Sequence, residues 1–249
     1  MNFIYTRGGD PLVNIAIEEL LLDKAPLYGG LARIWIHGPA VVVGVSTPVD
    51  MEVDTNLLRR LSIPLVKRGS GGGAVYHDHG NINISLYIPR RLLDVEKIYR
   101  MGTELILEIL SHLGVEGYRA NEGDVAVDGY KVSGSAIWIR SASTLFHATL
   151  IVESDVELMK RLTLPRRDLI ESGKIDPVKY NPNSLYNLKG ILLEEALEAC
   201  KKVLESRGYE KVVKPLWRRS ILESYWGRCL DGGRLLQGIS CFRPPLTSS

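Results

Sequence analysis

The chain of 249 residues is poor in cysteine, with only Cys200, Cys229 and Cys241. These three are odd in number, lie far apart and form no CxxC pair, so they indicate neither a disulfide framework nor a zinc site. Ordinary buried thiols are the simpler interpretation. Glutamine is scarcer still, since Gln237 is the only one. Few glutamines among many charged residues is a bias of heat-adapted proteins, so the composition is that expected of a thermophile.

Long apolar runs and a strong charge of either sign are also missing. No stretch reaches the roughly 18 apolar residues of a membrane span, and the first residues lack the apolar core of a signal peptide. The formal net charge is only +2, which gives no basic field for a nucleic acid. With 45% hydrophobic residues the chain can bury a full core. We therefore expect a cytoplasmic protein with neither a membrane nor a nucleic acid as partner.

The pattern of apolar residues predicts a mixture of helices and strands. Leu12, Ile15 and Leu20 recur at helical spacing after Asp10, a good N-cap. Two further helices are expected from about 95 to 113 and from about 192 to 208. Shorter helices are predicted within 53–63 and 155–162.

Strands are predicted from short β-branched runs. The runs 32–38 and 40–46 are separated by Gly38 and Pro39 and are expected to pair with each other. Strands are also predicted at 64–68, 73–89 with a bend near Gly80, and 143–154, and a hairpin at 124–140 turns at Asp128-Gly129. Because strands outnumber helical crossovers, we predict an α+β fold with a mixed, largely antiparallel central sheet packed with helices. No linker or repeat divides the chain, so residues 1–249 are expected to form one domain.

A glycine-rich stretch, KRGSGGGAVYHDHGN from Lys67 to Asn81, places four glycines in five positions. No Lys follows the glycines and a strand pattern comes next, so neither a phosphate-binding P-loop nor a dinucleotide-binding turn fits. Glycines without a Cβ leave room for a ligand against the backbone, and Lys67 and Arg68 offer charge to an anion. The alternative is a tight turn with no ligand.

Lys131 begins a second informative stretch, KVSGSA, in which small residues would let a substrate approach the chain. A solvated surface charge is the alternative interpretation for a lone lysine after a hairpin. His77 and His79 share a face of a strand at a spacing that suits a metal pair, but no third ligand is near, so a metal site is not expected there.

Taken together, these stretches resemble the catalytic domain of the lipoate-protein ligases, which belongs to the wider biotin and lipoate ligase fold. NIAIEELLL (14–22) resembles the helix signature of that family, and RGSGGGAVYHDHGN (68–81) resembles its glycine block. KVSGSA (131–136) and FHATLIVESDVELM (146–159) resemble two later blocks in the same order. The resemblance covers about residues 5 to 190.

This resemblance implies a ligase that works in two steps. Lipoate and ATP form lipoyl-adenylate and pyrophosphate, and the lipoyl group then passes to a lysine of a lipoyl domain. The implied acceptors are lipoyl domains of 2-oxoacid dehydrogenase acyltransferase subunits and the H protein of glycine cleavage. Mg²⁺ is expected with ATP, and Asp124 is a weaker candidate for its ligand.

The same resemblance assigns roles to individual residues. Lys131 is implied to touch both the phosphate and the acyl carbonyl, where an ammonium offsets negative charge. Arg68 is implied to hold phosphate. The residues implied to line the nucleotide through their backbone are Gly73, Ala74, Val75 and Tyr76. The residues implied to lie along the lipoyl chain are Gly71, Gly72, His77, Ser133 and Gly134.

Two alternatives remain beside the ligase. Related octanoyltransferases use a cysteine as acyl carrier, one branch placing it just before the lysine block; no cysteine lies there in this chain. A cysteine-independent octanoyl or lipoyl transferase and a non-catalytic lipoyl-binding homologue therefore stay open. Biotin ligases fit less well because their glycine-arginine signature is missing.

The chain also departs from the family pattern. The loop 44–50 lacks the usual G-R-x-Q-like stretch, Gly123 replaces an Asn, and Ala148 replaces a Gly. Many members carry an accessory C-terminal domain, which is expected to be absent here and to be supplied by a separate polypeptide, as in some archaeal ligases of two subunits.

Overall fold

The structure is a computed structural model that describes residues 1–90, 94–174 and 176–212. Cys229 and Cys241 lie outside the described residues. Within these ranges eleven strands form two sheets. They are β1 (Asn2–Arg7), β2 (Leu31–Ile36), β3 (Ala40–Val43), β4 (Leu65–Lys67), β5 (Val75–His77), β6 (Asn81–Ile88), β7 (Tyr118–Arg119), β8 (Asp124–Val127), β9 (Tyr130–Ile139), β10 (Thr144–Ile151) and β11 (Glu210–Lys211).

The large sheet has the order β11-β1-β2-β6-β10-β9-β8-β7. Its first three strands run parallel, and every other pair is antiparallel. The small sheet has the order β4-β3-β5. This arrangement confirms the predicted mixed, largely antiparallel sheet.

Helices cover both faces of the large sheet. Besides a 3₁₀ helix at Pro177–Tyr180, the described helices are α1 (Pro11–Tyr28), α2 (Val49–Glu52), α3 (Thr55–Leu61), α4 (Val95–His112), α5 (Val156–Leu162), α6 (Arg167–Glu171), α7 (Leu185–Lys189) and α8 (Leu193–Ser206). None of the helices in the described ranges has the length and apolar character needed to cross a membrane.

The first helix begins where its sequence predicts. The Asp10 carboxylate accepts the backbone N–H groups of Leu12 at 2.8 Å and Val13 at 3.2 Å, which satisfies two donors that a helix start leaves free. The helix ends at Gly29, whose φ of 64° suits a residue without a Cβ. The predicted N-cap is therefore confirmed.

Alternation along the strands sends neighbouring side chains to opposite layers. Phe146 packs in the core beneath α4 and α8, whereas its neighbour Leu145 packs with Leu21 of α1 on the other face. The small sheet has its own apolar layer with α3 and α5. The face that carries α1 is also the face on which the candidate site lies.

The predicted pairing of the runs 32–38 and 40–46 is wrong. β2 pairs with β1 and β6 in the large sheet, while β3 pairs with β4 and β5 in the small one. The corner at Gly38-Pro39 carries the chain from one sheet to the other instead of folding it back. Proline removes a ladder donor and favours such a break.

The predicted hairpin is confirmed. Asp128 and Gly129 both have positive φ, 51° and 81°, as a two-residue hairpin turn of type I′ requires. The turn pairs Ala126 with Lys131, and a one-residue shift of register between Val125 and Ala126 then places Asp124 opposite Gly134 across β8 and β9. It thereby fixes Asp124 beside Lys131.

Candidate active site

A cavity of about 760 Å³ opens between the two sheets. Most of the residues singled out from sequence line it. They are Arg68, Gly72, Gly73, Ala74, Val75, Tyr76, His77, Asp124, Lys131 and Gly134. Ser133 is instead buried, and neither it nor Gly71 is among the lining residues. Two segments separated by some 60 residues of sequence thus meet at one site.

Lys131 is a wall residue of this cavity rather than a surface charge. Its side chain is only 18% exposed, and Nζ lies 2.9 Å from Oδ1 of the buried Asp124. Its backbone N–H donates to the Asn181 carbonyl at 2.9 Å, and its own carbonyl accepts the Asn183 N–H at 3.0 Å. The interpretation as a solvated charge is therefore wrong, and the ammonium has a fixed position.

Asp124 has both carboxylate oxygens engaged. Oδ1 meets Lys131, and Oδ2 accepts the Asn121 side-chain N–H at 2.7 Å. Among the described residues no group of three or more His, Cys, Asp and Glu could hold a metal. Because Mg²⁺ needs free oxygen ligands, Asp124 in this arrangement does not fit a magnesium site.

The Arg68 guanidinium holds the glycine loop in shape. It donates to the carbonyls of Val42, Gly71 and Gly73 at 3.1, 2.7 and 3.0 Å and to the Ser70 hydroxyl at 2.9 Å. Burial lowers the pKa of Arg68 to about 10, so it stays charged at neutral pH. Four of its five N–H donors are therefore committed within the chain, and phosphate contact by Arg68 remains a prediction.

Replacing Arg68 by lysine is expected to lower the free energy of unfolding by about 3 kcal/mol. A single ammonium cannot donate to all the carbonyl and hydroxyl oxygens that the planar guanidinium reaches, so some of them would stay buried without a donor. Urea denaturation measures the change. The matched control is Arg100→Lys, whose guanidinium is exposed and pairs with Glu96 within α4. That control should stay within about 0.5 kcal/mol of the native chain. Equal losses in the two variants would contradict the role given to Arg68.

A buried carboxylate, Glu52, supports the loop from the other side. Its Oε2 accepts the Ala74 N–H at 2.9 Å, and its backbone carbonyl accepts the Leu164 N–H at 2.8 Å. A Cβ at Gly73 would lie 2.6 Å from this oxygen. Glycine at position 73 is thus explained by a contact within the chain.

Three side chains that sequence reasoning missed form a hydrogen-bonded chain behind the loop, with Glu18 and Ser70 buried and His147 partly exposed in the cavity wall. The Glu18 carboxylate lies 3.0 Å from Nδ1 of His147, and His147 Nε2 lies 2.9 Å from the Ser70 hydroxyl. Burial alone would raise the pKa of Glu18, but His147, Ser85 and Arg33 together hold that pKa below its usual value. One signal was available in the sequence, since Glu18 and Glu19 interrupt the otherwise apolar run 15–22, which the structure buries on every side of the helix.

The hydrogen-bonded series Glu18, His147 and Ser70 has the order of acid, histidine and serine found in a catalytic triad, but a substrate cannot reach its serine. Ser70 is 1% exposed and is not among the residues that line the cavity, and its hydroxyl already accepts the Nε–H of Arg68. Cys200 is buried in the core, where burial raises the pKa of its thiol to about 12. Ser135 lines the cavity, but its hydroxyl donates to the Gly123 carbonyl at 2.6 Å instead of to a base, so within the described residues it lacks the partner that activates a nucleophile.

Two further histidines, His37 and His77, lie side by side beneath the loop. His37 Nε2 is 2.9 Å from His77 Nδ1, and the ring of Trp35 stacks on His37 with centroids 5.4 Å apart. Burial lowers the pKa of His37 from 6.5 to about 4, and burial also holds the pKa of His77 well below its ordinary value. Both rings are therefore neutral near pH 7.

Stability is expected to fall as the pH drops from 6.5 toward 4. The unfolded chain takes up protons on these two histidines in that window, whereas the folded chain does not, so acid favours unfolding. Urea denaturation at a series of pH values measures the slope, which should be shallower in His37→Gln. The exposed His112 on α4 offers a control in His112→Gln. A native stability that is flat across this window would contradict two buried neutral imidazoles.

Comparison with known proteins gives a consistent assignment. The model of the lipoyl protein ligase A/B catalytic domain matches residues 10–205. A protein of Aeropyrum pernix assigned as lipoate-protein ligase A is 46% identical over 76% of this chain and 72% of its own length. The lipoate-protein ligase LplJ of Bacillus subtilis is 31% identical over 68% of the chain, which spans about half of that relative.

Solved structures share the fold. A Thermoplasma acidophilum protein, solved with bound lipoic acid, has a TM-score of 0.77 at 20% identity over 93% of this chain and 95% of its own. A bi-partite lipoate-protein ligase studied with its E2 lipoyl domain, from the same organism, has a TM-score of 0.76 at 19% identity over 97% and 98%. A lipoate-protein ligase A bound with ATP has a TM-score of 0.77 at 20% identity over 92% and 94%.

The family match covers most of the chain and includes both the glycine loop and the lysine strand, which the structure brings to one cavity. Together with the identity to the Aeropyrum pernix protein, this shows that the chain belongs to the lipoyl protein ligase A/B catalytic domain family.

Proposed function

We propose that this chain activates lipoate with ATP and transfers the lipoyl group to a lysine of a lipoyl domain. The observation that carries the proposal is the nearly buried ammonium of Lys131 in the wall of a cavity that the glycine loop also lines. A fixed cation in a site that excludes most water stabilises developing negative charge far better than one in bulk solvent.

In the first step a lipoate carboxylate oxygen attacks the α-phosphorus of ATP, forming the acyl–phosphate bond as the bond to pyrophosphate breaks. Two anions must approach each other, so their repulsion has to be offset. Lys131 supplies a cation at the cavity wall. Lys160, Lys174 and Lys179 also line the cavity and would help to offset the negative charge of the polyphosphate. Mg²⁺ would enter with the ATP phosphates rather than on a dedicated protein site.

In the second step the amine of the acceptor lysine attacks the acyl carbon, an amide forms, and AMP leaves. The mixed anhydride is already activated, so the protein needs no nucleophile of its own. The one serine among the described lining residues, Ser135, donates its hydroxyl hydrogen to the Gly123 carbonyl rather than to a base, which suits this direct transfer. The role left to the chain is to hold the adenylate and to neutralise its phosphate.

We further propose that a second polypeptide assists the activation step. A bi-partite ligase is among the structures that share this fold, and residues 1–249 would then act as its single catalytic domain in the cytoplasm. Acceptors would be lipoyl domains of 2-oxoacid dehydrogenase acyltransferases and the glycine-cleavage H protein.

Intact mass measurement of an apo lipoyl domain tests the proposal. The domain is incubated with this chain, lipoate and ATP, with and without the accessory polypeptide of a two-subunit ligase. We expect a gain of one lipoyl group that requires ATP and is faster with the accessory polypeptide. Acylation from an octanoylated carrier without ATP would instead indicate an acyltransferase, and equal rates in both mixtures would overturn the two-subunit proposal.

A further inference from the structure

Glu52 is a carboxylate of the cavity wall that uses only one of its two oxygens for a hydrogen bond. Oε2 accepts the Ala74 N–H at 2.9 Å. Oε1 has no hydrogen-bond partner within the described residues, and the Arg166 Nη1 with which it forms an ion pair lies 3.8 Å away, beyond hydrogen-bond distance. Since a carboxylate oxygen accepts hydrogen bonds, Oε1 is an acceptor that the described part of the chain leaves without a donor.

This oxygen is open on the side of the cavity. The Glu52 side chain is only 9% exposed, and Glu52 lines the cavity together with Gly73 and Ala74. Oε1 is not among the fully buried polar atoms of the described residues that lack a partner, so it keeps some accessible surface. At Gly73 no side chain covers it, because the position of a Cβ there is 3.9 Å from Oε1. A ligand in the cavity can therefore reach it.

The other carboxylates in the wall are arranged differently. Both oxygens of Glu18 accept hydrogen bonds, and both oxygens of Asp124 are engaged by Lys131 or by an amide. Glu122 and Asp176 also line the cavity but are exposed to solvent. Among the described lining residues, Glu52 is thus the buried carboxylate that retains an oxygen for a ligand.

The chemistry of the substrates indicates which part of them can use this oxygen. Near neutral pH the carboxylate of lipoate and the polyphosphate of ATP are anions without a hydrogen to donate, and Glu52 would repel them. The acceptor lysine has hydrogens, but a neighbouring carboxylate would favour its charged form, which has no lone pair for attack. The nucleoside is the remaining part, and its ribose hydroxyls and its base amino group are neutral donors.

We propose that Oε1 of Glu52 accepts a hydrogen bond from a ribose hydroxyl or from the amino group of the base, and that Glu52 is therefore a specificity-determining residue for the nucleotide. The hydrogen bond from Ala74 to Oε2 fixes the orientation of the carboxylate before the nucleotide binds. The polyphosphate must then extend away from Glu52. This inference rests on the proposed function, because it places a nucleotide in the cavity.

Glu52→Gln tests the inference with almost no change in volume. The Ala74 N–H still needs an oxygen acceptor, so the amide oxygen is expected beside it and the amide NH₂ takes the place of Oε1. The free acceptor becomes a donor. The matched control is Asp50→Asn, which makes the same chemical change in an exposed residue of the same helix that does not line the cavity. Thermal unfolding checks that both variants are folded.

Calorimetric binding of four nucleotides identifies the donor. They are ATP, 2′-deoxy-ATP, 3′-deoxy-ATP and the triphosphate of purine riboside, which lacks the amino group of adenine. In the native chain we expect one of the three analogues to bind about 10- to 100-fold more weakly than ATP, the loss typical of a hydrogen bond to a charged group. In Glu52→Gln, ATP should bind about as weakly as that analogue, whereas Asp50→Asn should keep the native preference.

Two results would overturn the role of Glu52. One is equal binding of all four nucleotides by the native chain, a result that does not depend on the folding of any variant. The other is a preference of the same size in Glu52→Gln and in the native chain. Either result leaves the proposed function intact as long as ATP binds and the acceptor is lipoylated. A chain that binds no ATP would remove the proposed function and this inference with it.

Discussion

Changing Lys131 to alanine is expected to lower the rate of ATP-dependent pyrophosphate release about 10²- to 10³-fold, the loss found when one fixed stabiliser of a developing negative charge is removed. The expectation follows from the position of Nζ, which is 2.9 Å from Asp124, largely buried and in the cavity wall. The rate is measured with lipoate and ATP under the conditions that support activation.

A second ion pair serves as the control. Lys189 Nζ lies 2.8 Å from Asp128 Oδ2, but both side chains are far more exposed than those of Lys131 and Asp124. Lys189→Ala should leave the rate unchanged, because an exposed pair contributes little. Lys131→Ala also strips Asp124 of a partner, so the double variant Lys131→Ala with Asp124→Asn checks for loss of the fold by thermal unfolding. A native rate in Lys131→Ala would remove this residue from the mechanism.

Adding a single methyl group at Gly69 is expected to destabilise the chain by about 2–3 kcal/mol, the upper part of the range for overpacking a filled site. A Cβ at this position would lie under 3.0 Å from the ring of Trp138. The ring has little room to withdraw, because Arg140 stacks on its face at 4.9 Å. Urea denaturation of Gly69→Ala measures the loss.

Gly71 and Trp138 supply the comparisons for this result. A Cβ at Gly71 would meet nothing within 4 Å, so Gly71→Ala should stay within about 0.5 kcal/mol of the native stability. Trp138→Leu combined with Gly69→Ala should recover part of the loss relative to the two single changes. Strictly additive effects would show that the ring is not what excludes a side chain at Gly69.

Local signals predicted the elements that carry the site. The N-cap at Asp10, the hairpin turn at Asp128-Gly129 and the strands within 124–140 and 143–154 each depend on a few adjacent residues, and each is confirmed. The family motifs then predicted that the glycine loop and Lys131 act together. Their meeting in one cavity agrees with that prediction.

Local sequence patterns could not predict the contacts between distant segments. Glu18 and His147 are 129 positions apart, and no periodic pattern links a helix residue to a strand residue at that distance. The separation of β2 and β3 into different sheets depends on which strands compete for their edges rather than on either run alone. The sequence predicts that Arg68 offers charge to an anion, but its four acceptors within the chain are backbone and hydroxyl groups that composition does not reveal.

The bare backbone of the loop has more than one physical origin. Gly72 has a φ of 91°, in the left-handed region that favours glycine. Gly69 and Gly73 are glycine because Trp138 and Glu52 of the same chain already fill the space beside them. Gly71 has open space in place of a side chain. Room for a ligand can therefore explain only some of the glycines in this stretch.

Transfer from supplied lipoyl-adenylate to an apo lipoyl domain tests the central claim most directly, because it bypasses ATP and any accessory polypeptide. Intact mass and peptide mapping follow the reaction with the native chain, with Lys131→Ala and without protein. The account predicts a single lipoyl group on one lysine with the native chain and a far slower gain with the variant. Acylation no faster and no more selective than in the protein-free mixture would contradict it.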